Sequence, residues 1–362
     1  MALDRVTLTH FRNHQGSTLD QTGRFNLLVG ENGAGKTNVL EALSLFAPGR
    51  GLRRAALADM AAKDGPGGFA VSAALDCGGE REPVMLGTGT QADKPGRRLV
   101  KANGADSSAI ALGEWLAVSW LTPAMDGLFA DSAGTRRRYM DRLALALDPV
   151  HARHASRYEA ALRERNRLLD GETEPDPAWL DAIEAQLAEH GSALAAGRIS
   201  LVGRLMAELA TVPDQPFARP ILTLAAGGPA LKDELAEALR SQRTHDRAAH
   251  RTLVGPHRDD LIVTMAGKDA PAATCSTGEQ KAMLIAITLA HAALAARGRP
   301  SLLLLDEVAA HLDPVRRESL FTRLAEGGAQ VWMTGTELAP FEAIAAEAAI
   351  WNVSGGKAER AA

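Results

Sequence analysis

Gly30-Glu31-Asn32-Gly33-Ala34-Gly35-Lys36-Thr37 is the stretch on which the reading of this chain turns. It satisfies every fixed position of the phosphate-cradling pattern G-x-x-x-x-G-K-[ST], the P-loop. Its glycines let main-chain amides wrap closely around phosphates, and the N-terminus of a following helix then faces the anion. Lys36 is placed to reach the β- and γ-phosphates, and the Thr37 hydroxyl to bind Mg2+. The flanks agree. Phe25–Val29 (FNLLV) reads as an apolar strand ending at Gly30. Beyond Asn38, Val39, Leu40, Leu43 and Phe46 fall at helical spacing until Pro48-Gly49 stops the helix. The order is strand, glycine loop, helix.

Two further motifs lie near the other end. Leu302-Leu303-Leu304-Leu305-Asp306-Glu307 fits a Walker B strand. A buried strand of this kind delivers Asp306 to the Mg2+ side of a nucleotide, and Glu307, one residue on, is placed to polarise an attacking water. Taken alone, four leucines before an acid are equally a buried strand with a carboxylate cap; the P-loop decides in favour of nucleotide chemistry. Ser276-Thr277-Gly278-Glu279-Gln280-Lys281 opens an apolar helix expected over 277–297. Hydroxyls and a glycine at a helix start form either an anion site or an ordinary N-cap.

Length and composition bound the remaining possibilities. A chain of 362 residues exceeds one ordinary core, so a large domain with a smaller lobe is expected. Net charge is −4, so a nucleic-acid surface must be a local patch, and 4% aromatics disfavours a base-stacking platform. The two cysteines, Cys77 and Cys275, form no metal-binding spacing. The amino terminus carries no apolar signal core, and the longest apolar stretch, 282–296, is too short to span a bilayer. A cytoplasmic protein without membrane contact is expected. Residues 69–118 read as an antiparallel meander with turns at Gly78-Gly79, Pro95-Gly96 and Asn103-Gly104. Residues 136–240 read as helical, with Leu180, Ile183, Leu187, Leu194, Leu201 and Leu205 forming a seam. Pro175, Pro177, Pro213, Pro216 and Pro220 are expected to chop that region into short pieces. Past Arg251 the α/β pattern returns. The fold class is thus α/β: a P-loop ATPase head, of the ABC type by the resemblance given next, with an antiparallel β meander and an inserted helical lobe. It is expected to be divided into an ATPase domain (1–135 and 251–362) and the lobe (136–250).

The Ser-x-Gly-Glu segment ahead of a Walker B resembles the signature motif of the ABC ATPase superfamily. The resemblance implies an ATP-sandwiched homodimer in which Ser276, Thr277, Gly278 and Glu279 of one subunit meet the nucleotide of the other. It also implies a D-loop at Leu312-Asp313. Where transporters of that superfamily carry a switch histidine, Thr334-Gly335-Thr336 stands here. A finer resemblance, to the RecF family, covers nearly the whole chain. It rests on Phe11-Arg12-Asn13, Leu121-Thr122-Pro123, Arg136-Arg137-Arg138 with Asp141, residues 163–169, and above all Gly255-Pro256-His257-Arg258-Asp259-Asp260. It implies that Arg12 and Asn13 stand at the nucleotide and that Glu307 and Lys36 serve catalysis. It further implies binding of single-stranded, gapped and double-stranded DNA, weak DNA-dependent ATP hydrolysis, and action with RecO and RecR to place RecA on DNA in repair, replication restart and the SOS response. ATP and Mg2+ are the cofactors so implied. The family often has an acid after the proline of its Q-loop counterpart; this chain has Ala124, with Asp126 as a substitute.

For DNA, nine arginines between 136 and 167, among them Arg136, Arg137, Arg138, Arg153 and Arg157, face five acids between 131 and 167. Arginines contact phosphates without reading sequence; solvated helix faces carrying i,i+4 pairs would look the same. The competing readings are an ATPase subunit of another system, either a transporter or an SMC-like head, and a non-hydrolysing nucleotide-gated module.

Overall fold

The computed structural model describes residues 2–76, 78, 82–213 and 215–361, with the backbone alone at His311. Cys77, and Gly79 of the expected Gly78-Gly79 turn, lie outside the described residues. The chain divides into two compact units: Met1–Asp126, Pro213–Phe217 and Lys281–Ala362 form the first, Gly127–Val212 and Ala218–Gln280 the second.

The first unit opens with β1 (Leu3–Phe11), β2 (His14–Leu19), β3 (Phe25–Val29) and α1 (Lys36–Ser44). Then come β4 (Phe69–Leu75), β5 (Val84–Gln91), β6 (Lys94–Ala102), β7 (Ala105–Asp106), α2 (Ala109–Trp115) and β8 (Ala117–Leu121). The second unit supplies α3 (Ala133–Leu147), α4 (Val150–Leu169), α5 (Pro177–Ala210), β9 (Pro220–Ala225), α6 (Lys232–Ser241), α7 (Arg243–Ala248), β10 (Asp260–Met265) and β11 (Ala270–Pro271). Helix α8 (Thr277–Ala296) starts in the second unit and continues in the first. The first unit closes with β12 (Ser301–Leu305), α9 (Pro314–Glu326), β13 (Gln330–Gly335), α10 (Glu342–Ala345), β14 (Ala348–Ser354) and β15 (Lys357–Arg360).

Two six-stranded sheets build the first unit. One is antiparallel, in the order β2-β1-β4-β5-β6-β7. The other runs β15-β14-β3-β13-β12-β8 and is parallel except at β15. Parallel strands covered on both faces read as unbroken apolar runs, and FNLLV and SLLLL are two of them. Val39, Leu40 and Leu43 of α1 are buried in one core with Leu8 and Val71 from the antiparallel sheet and Leu304 and Trp332 from the parallel one. Gln330 joins the two sheets. Its Oε1 accepts from the Leu3 amide at 3.0 Å, and its Nε2 donates to the carbonyls of Leu3 at 2.8 Å and Gly23 at 2.9 Å. The expected meander is β4 to β7, but its tail departs from expectation. Residues 109–115 are helix α2, capped by Ser108, whose hydroxyl accepts from the Ala111 amide at 3.1 Å. β8 then joins the parallel sheet.

The second unit holds helices and a three-stranded antiparallel sheet, β11-β10-β9. Pairing of β9 with β10 binds residues 251–280 to this unit, although the sequence alone had grouped them with the ATPase part. The proline expectation also needs correction. α5 runs 34 residues without a break, because Pro177 sits in its first turn, where no amide hydrogen bond is lost, and Asp176 caps it. The seam residues Leu180, Ile183, Leu187, Leu194, Leu201 and Leu205 are all buried along it. No helix among the described residues is long and apolar enough to cross a membrane.

Candidate nucleotide-binding site

In the parallel sheet, β13 lies between β3 and β12, so the ends of all three strands come together at one edge. The loop 30–37 leaves β3 there, Asp306 and Glu307 leave β12, and Thr334 sits at the end of β13. Ligands bind beyond the carboxyl ends of parallel strands for this reason. The Thr37 hydroxyl donates to Asp306 Oδ1 at 2.9 Å, and the Thr334 hydroxyl donates to the same oxygen at 2.8 Å. Thr334 Oγ1 in turn accepts from the Glu307 amide at 2.9 Å. Glu307 has φ +54, in the left-handed region that non-glycine residues seldom adopt. Asp306 is buried and Glu307 half-buried.

Lys36 Nζ donates to the carbonyl oxygens of Gly30 at 2.6 Å and Glu31 at 2.8 Å, so the loop is closed on its own cation. Burial lowers the Lys36 pKa, and the charges of Glu307 and Asp306 oppose that shift. The loop rests on the turn between β1 and β2. Asn13 Nδ2 donates to the Ala34 carbonyl at 2.9 Å, Asn38 Nδ2 donates to Asn13 Oδ1 at 2.7 Å, and His14 Nε2 lies 3.1 Å from the Gly35 carbonyl. Gly35 has φ +118, and a side chain there would strike Asn13 and His14, so glycine is required. Burial lowers the pKa of His14, against its contacts with the Gly35 and Gly356 carbonyls. Arg12 forms a two-pronged pair with Glu41 at 2.9 and 2.6 Å and donates to the Asp59 carbonyl at 2.7 Å. Arg53 joins the fully buried Glu41 at 3.0 Å. Asn13 therefore braces the loop, and Arg12 braces α1, the helix that follows it. His14, Glu41 and Arg53 were not singled out from sequence; isolated polar residues in a strand turn and a helix carry no spacing signal.

At the start of α8, Ser276 and Glu279 form a reciprocal capping box. The Ser276 amide and hydroxyl each donate to Glu279 Oε2 at 3.0 Å, and the Glu279 amide faces Ser276 Oγ at 3.4 Å. Lys268 pairs with Glu279 and, with Ser276, holds its carboxyl down to about 2. A side chain at Gly278 would meet nothing, so that position is open. Asp313 caps α9, its Oδ1 accepting from the Arg316 amide at 3.0 Å. Asp126, beyond Ala124, pairs with Lys281 at 3.5 Å.

The arginines of the second unit separate into two groups. Arg136 forks onto Asp260 at 2.8 and 2.6 Å, and Arg137 donates to the Asp259 carbonyl at 2.8 Å. Both are engaged internally and half-buried. Arg165 is fully buried, with Glu184 at 3.0 Å and Asp246 at 2.5 Å. Arg138, Arg153 and Arg157 are exposed.

A family model described as the RecF/RecN/SMC N terminal domain matches residues 2–355. The chain is 46% identical over 372 residues to the DNA replication and repair protein RecF of Brucella suis biovar 1 (strain 1330), covering 99% of this chain and 96% of that protein. It is 47% identical over 369 residues to the protein of that name from Mesorhizobium japonicum, covering 98% and 96%. A solved structure described as the recombination mediator protein RecF-ATPrS in the RecFOR pathway superposes with a TM-score of 0.87 over 99% of this chain and 98% of its own, at 21% identity. Fold and site thus define a P-loop head of the RecF/RecN/SMC class. Within that class the chain belongs to the RecF family, the family of DNA replication and repair proteins. The transporter reading falls with that assignment, as does that of an SMC-like head.

Proposed function

We propose that this protein is an ATP-gated DNA clamp of recombinational repair and replication restart that hydrolyses ATP slowly. One observation carries the reading: the Thr37 hydroxyl rests on the Asp306 carboxylate, joining two motifs far apart in sequence at one strand edge. The amides of residues 33–38 receive the phosphates. Lys36 exchanges its loop carbonyls for the β- and γ-phosphates. A hydroxyl and a carboxylate are hard oxygen donors, so Thr37 and Asp306 suit Mg2+, which supplies charge neutralisation at the phosphates. Glu307 orients the attacking water and accepts its proton.

Completion of the site comes from a second copy, whose Ser276, Thr277, Gly278 and Glu279 face the γ-phosphate. Ser276 must release Glu279 before its hydroxyl can donate there. Asp313 of the D-loop lines the same contact. Exposed Arg138, Arg153 and Arg157 contribute phosphate contacts to DNA. Similarity to a structure named for the RecFOR pathway supports RecO and RecR as partners, with RecA loading on gapped DNA in the SOS response as the outcome, in the cytoplasm.

Sedimentation of the protein alone, with Mg-ATP, and with Mg-ATP plus a gapped duplex tests the reading. ATP is expected to produce dimers that carry DNA, and Lys36→Ala to remain monomeric. A wild-type protein that stays monomeric and ignores DNA in all three conditions overturns it.

A further inference from the structure

The segment Gly255-Pro256-His257-Arg258-Asp259-Asp260 is the most specific motif in the sequence, and the nucleotide chemistry above uses none of it. Nearly every side chain in it is tied to the second unit. Asp259 accepts from Arg198 at 2.8 Å and from the Gly227 amide at 2.7 Å. Asp260 holds Arg136. His257 sits between the Tyr158 hydroxyl at 2.8 Å and the Thr252 carbonyl at 3.0 Å. The Pro256 carbonyl accepts from Arg198 at 2.6 Å.

Arg258 is the exception. Its side chain is exposed, and its guanidinium has no hydrogen-bond or ion-pair partner among the described residues. Its backbone is nevertheless fixed. The Arg258 amide donates to the Gly255 carbonyl at 2.9 Å, and the Gly255 amide to the Gly227 carbonyl at 3.0 Å. Gly227 packs so closely on Arg258 that any side chain there would collide with it. The surrounding charges are also settled. Asp141 and Asp259 are held by Arg198, and Asp260 by Arg136, with Arg137 donating to the Asp259 carbonyl. Three carboxylates are thus matched by three guanidiniums, which leaves the charge on Arg258 uncompensated. A rigid mount carrying an unpaired guanidinium is pre-organised for an external anion.

We infer that Arg258 contacts the phosphate backbone of bound DNA. The assignment rests on the DNA-binding reading above and names a residue for it. Exposed Arg138, Arg153 and Arg157 in the same unit favour a polyanion over a single carboxylate on a protein partner. No base is read, because a lone guanidinium on phosphate carries no sequence information.

The test is fluorescence anisotropy of a labelled gapped duplex with the full-length protein and Mg-ATP, between about 50 and 200 mM salt. Wild type, Arg258→Ala and Arg258→Lys are compared, with thermal unfolding of each. Each lost phosphate contact lowers the salt slope by about 0.9, which is about a fivefold loss of affinity at 0.15 M salt. Arg258→Ala is expected to show that loss at an unchanged unfolding midpoint, and Arg258→Lys to retain most of the slope. Equal slopes for wild type and Arg258→Ala overturn the assignment. So does a lowered unfolding midpoint, which makes the side chain structural, or a loss of ATP-driven dimers without DNA, which makes it a contact between copies. Failure of the wild type to bind DNA at all strikes the underlying reading instead.

Discussion

Thr334 stands where transporters carry a histidine, and its hydroxyl spans both acids of the Walker B motif. It donates to Asp306 and accepts from the amide of Glu307. It therefore positions Glu307, whose left-handed backbone needs an outside hold. Thr334→Val keeps the shape but removes both bonds. ATP turnover is expected to fall about tenfold or more, as when an orienting hydrogen bond of about 1.5 kcal/mol or more is lost, with little change in nucleotide affinity. Thr334→Ser should restore turnover. Equal losses of kcat and affinity in the valine variant would instead mean that Thr334 supports the nucleotide pocket as a whole. The sequence brought Thr334 into view, but which atoms it links follows from the adjacency of β12 and β13.

Helix α5 and its neighbours show what the elements contribute. Apolar spacing marked the seam correctly, yet one of the prolines read as breakers, Pro177, proved to be a start signal, since a proline in the first helical turn costs no hydrogen bond; Pro175, Pro213 and Pro216 do lie between elements, and Pro220 opens β9. The lobe also buries ions. Arg165 is enclosed by Glu184 of α5, Asp246 of α7 and Thr252, and it donates to the Leu239 carbonyl at 2.9 Å. Arg243 shares Glu184 at 2.6 Å, so removing Arg165 would strand Asp246 more than Glu184. Removing one partner of a buried pair costs about 3–5 kcal/mol, whereas replacing the whole set by apolar groups costs far less. Arg165→Met is expected to lower denaturant stability by that amount, and adding Asp246→Leu to recover part of it. A silent single variant would remove this network from the account of the fold. From sequence, Arg165 was one of nine arginines on a helical stretch and indistinguishable from its exposed neighbours.

At the scale of the whole molecule, one copy holds the P-loop and the Asp306 strand in one compact unit and the proposed signature segment, 276–279, in the other. The proposed reaction needs two copies. Glu307→Gln keeps every nucleotide ligand but cannot take the proton from water, so ATP should hold the dimer closed. Sedimentation with saturating Mg-ATP is expected to give a stable dimer that outlasts the wild-type one. A Glu307→Gln protein that remains monomeric would sink the composite-site model while leaving the fold untouched.

The sequence by itself determined the P-loop, the buried strand that ends in Asp306, the helix start at Ser276 and the α/β class, because each depends on local chemistry: glycine conformations, a buried apolar run, a helix cap. Tertiary structure decided the rest. It placed Thr334 between the motifs, set Asn13 and His14 against the loop and Arg12 on Glu41 of α1, and gave residues 251–280 to the helical unit through the pairing of β9 with β10. It also separated the arginines that hold the lobe together from those left to solvent. Long-range pairing fixes which carboxylate meets which guanidinium, and a one-dimensional pattern contains no record of that choice.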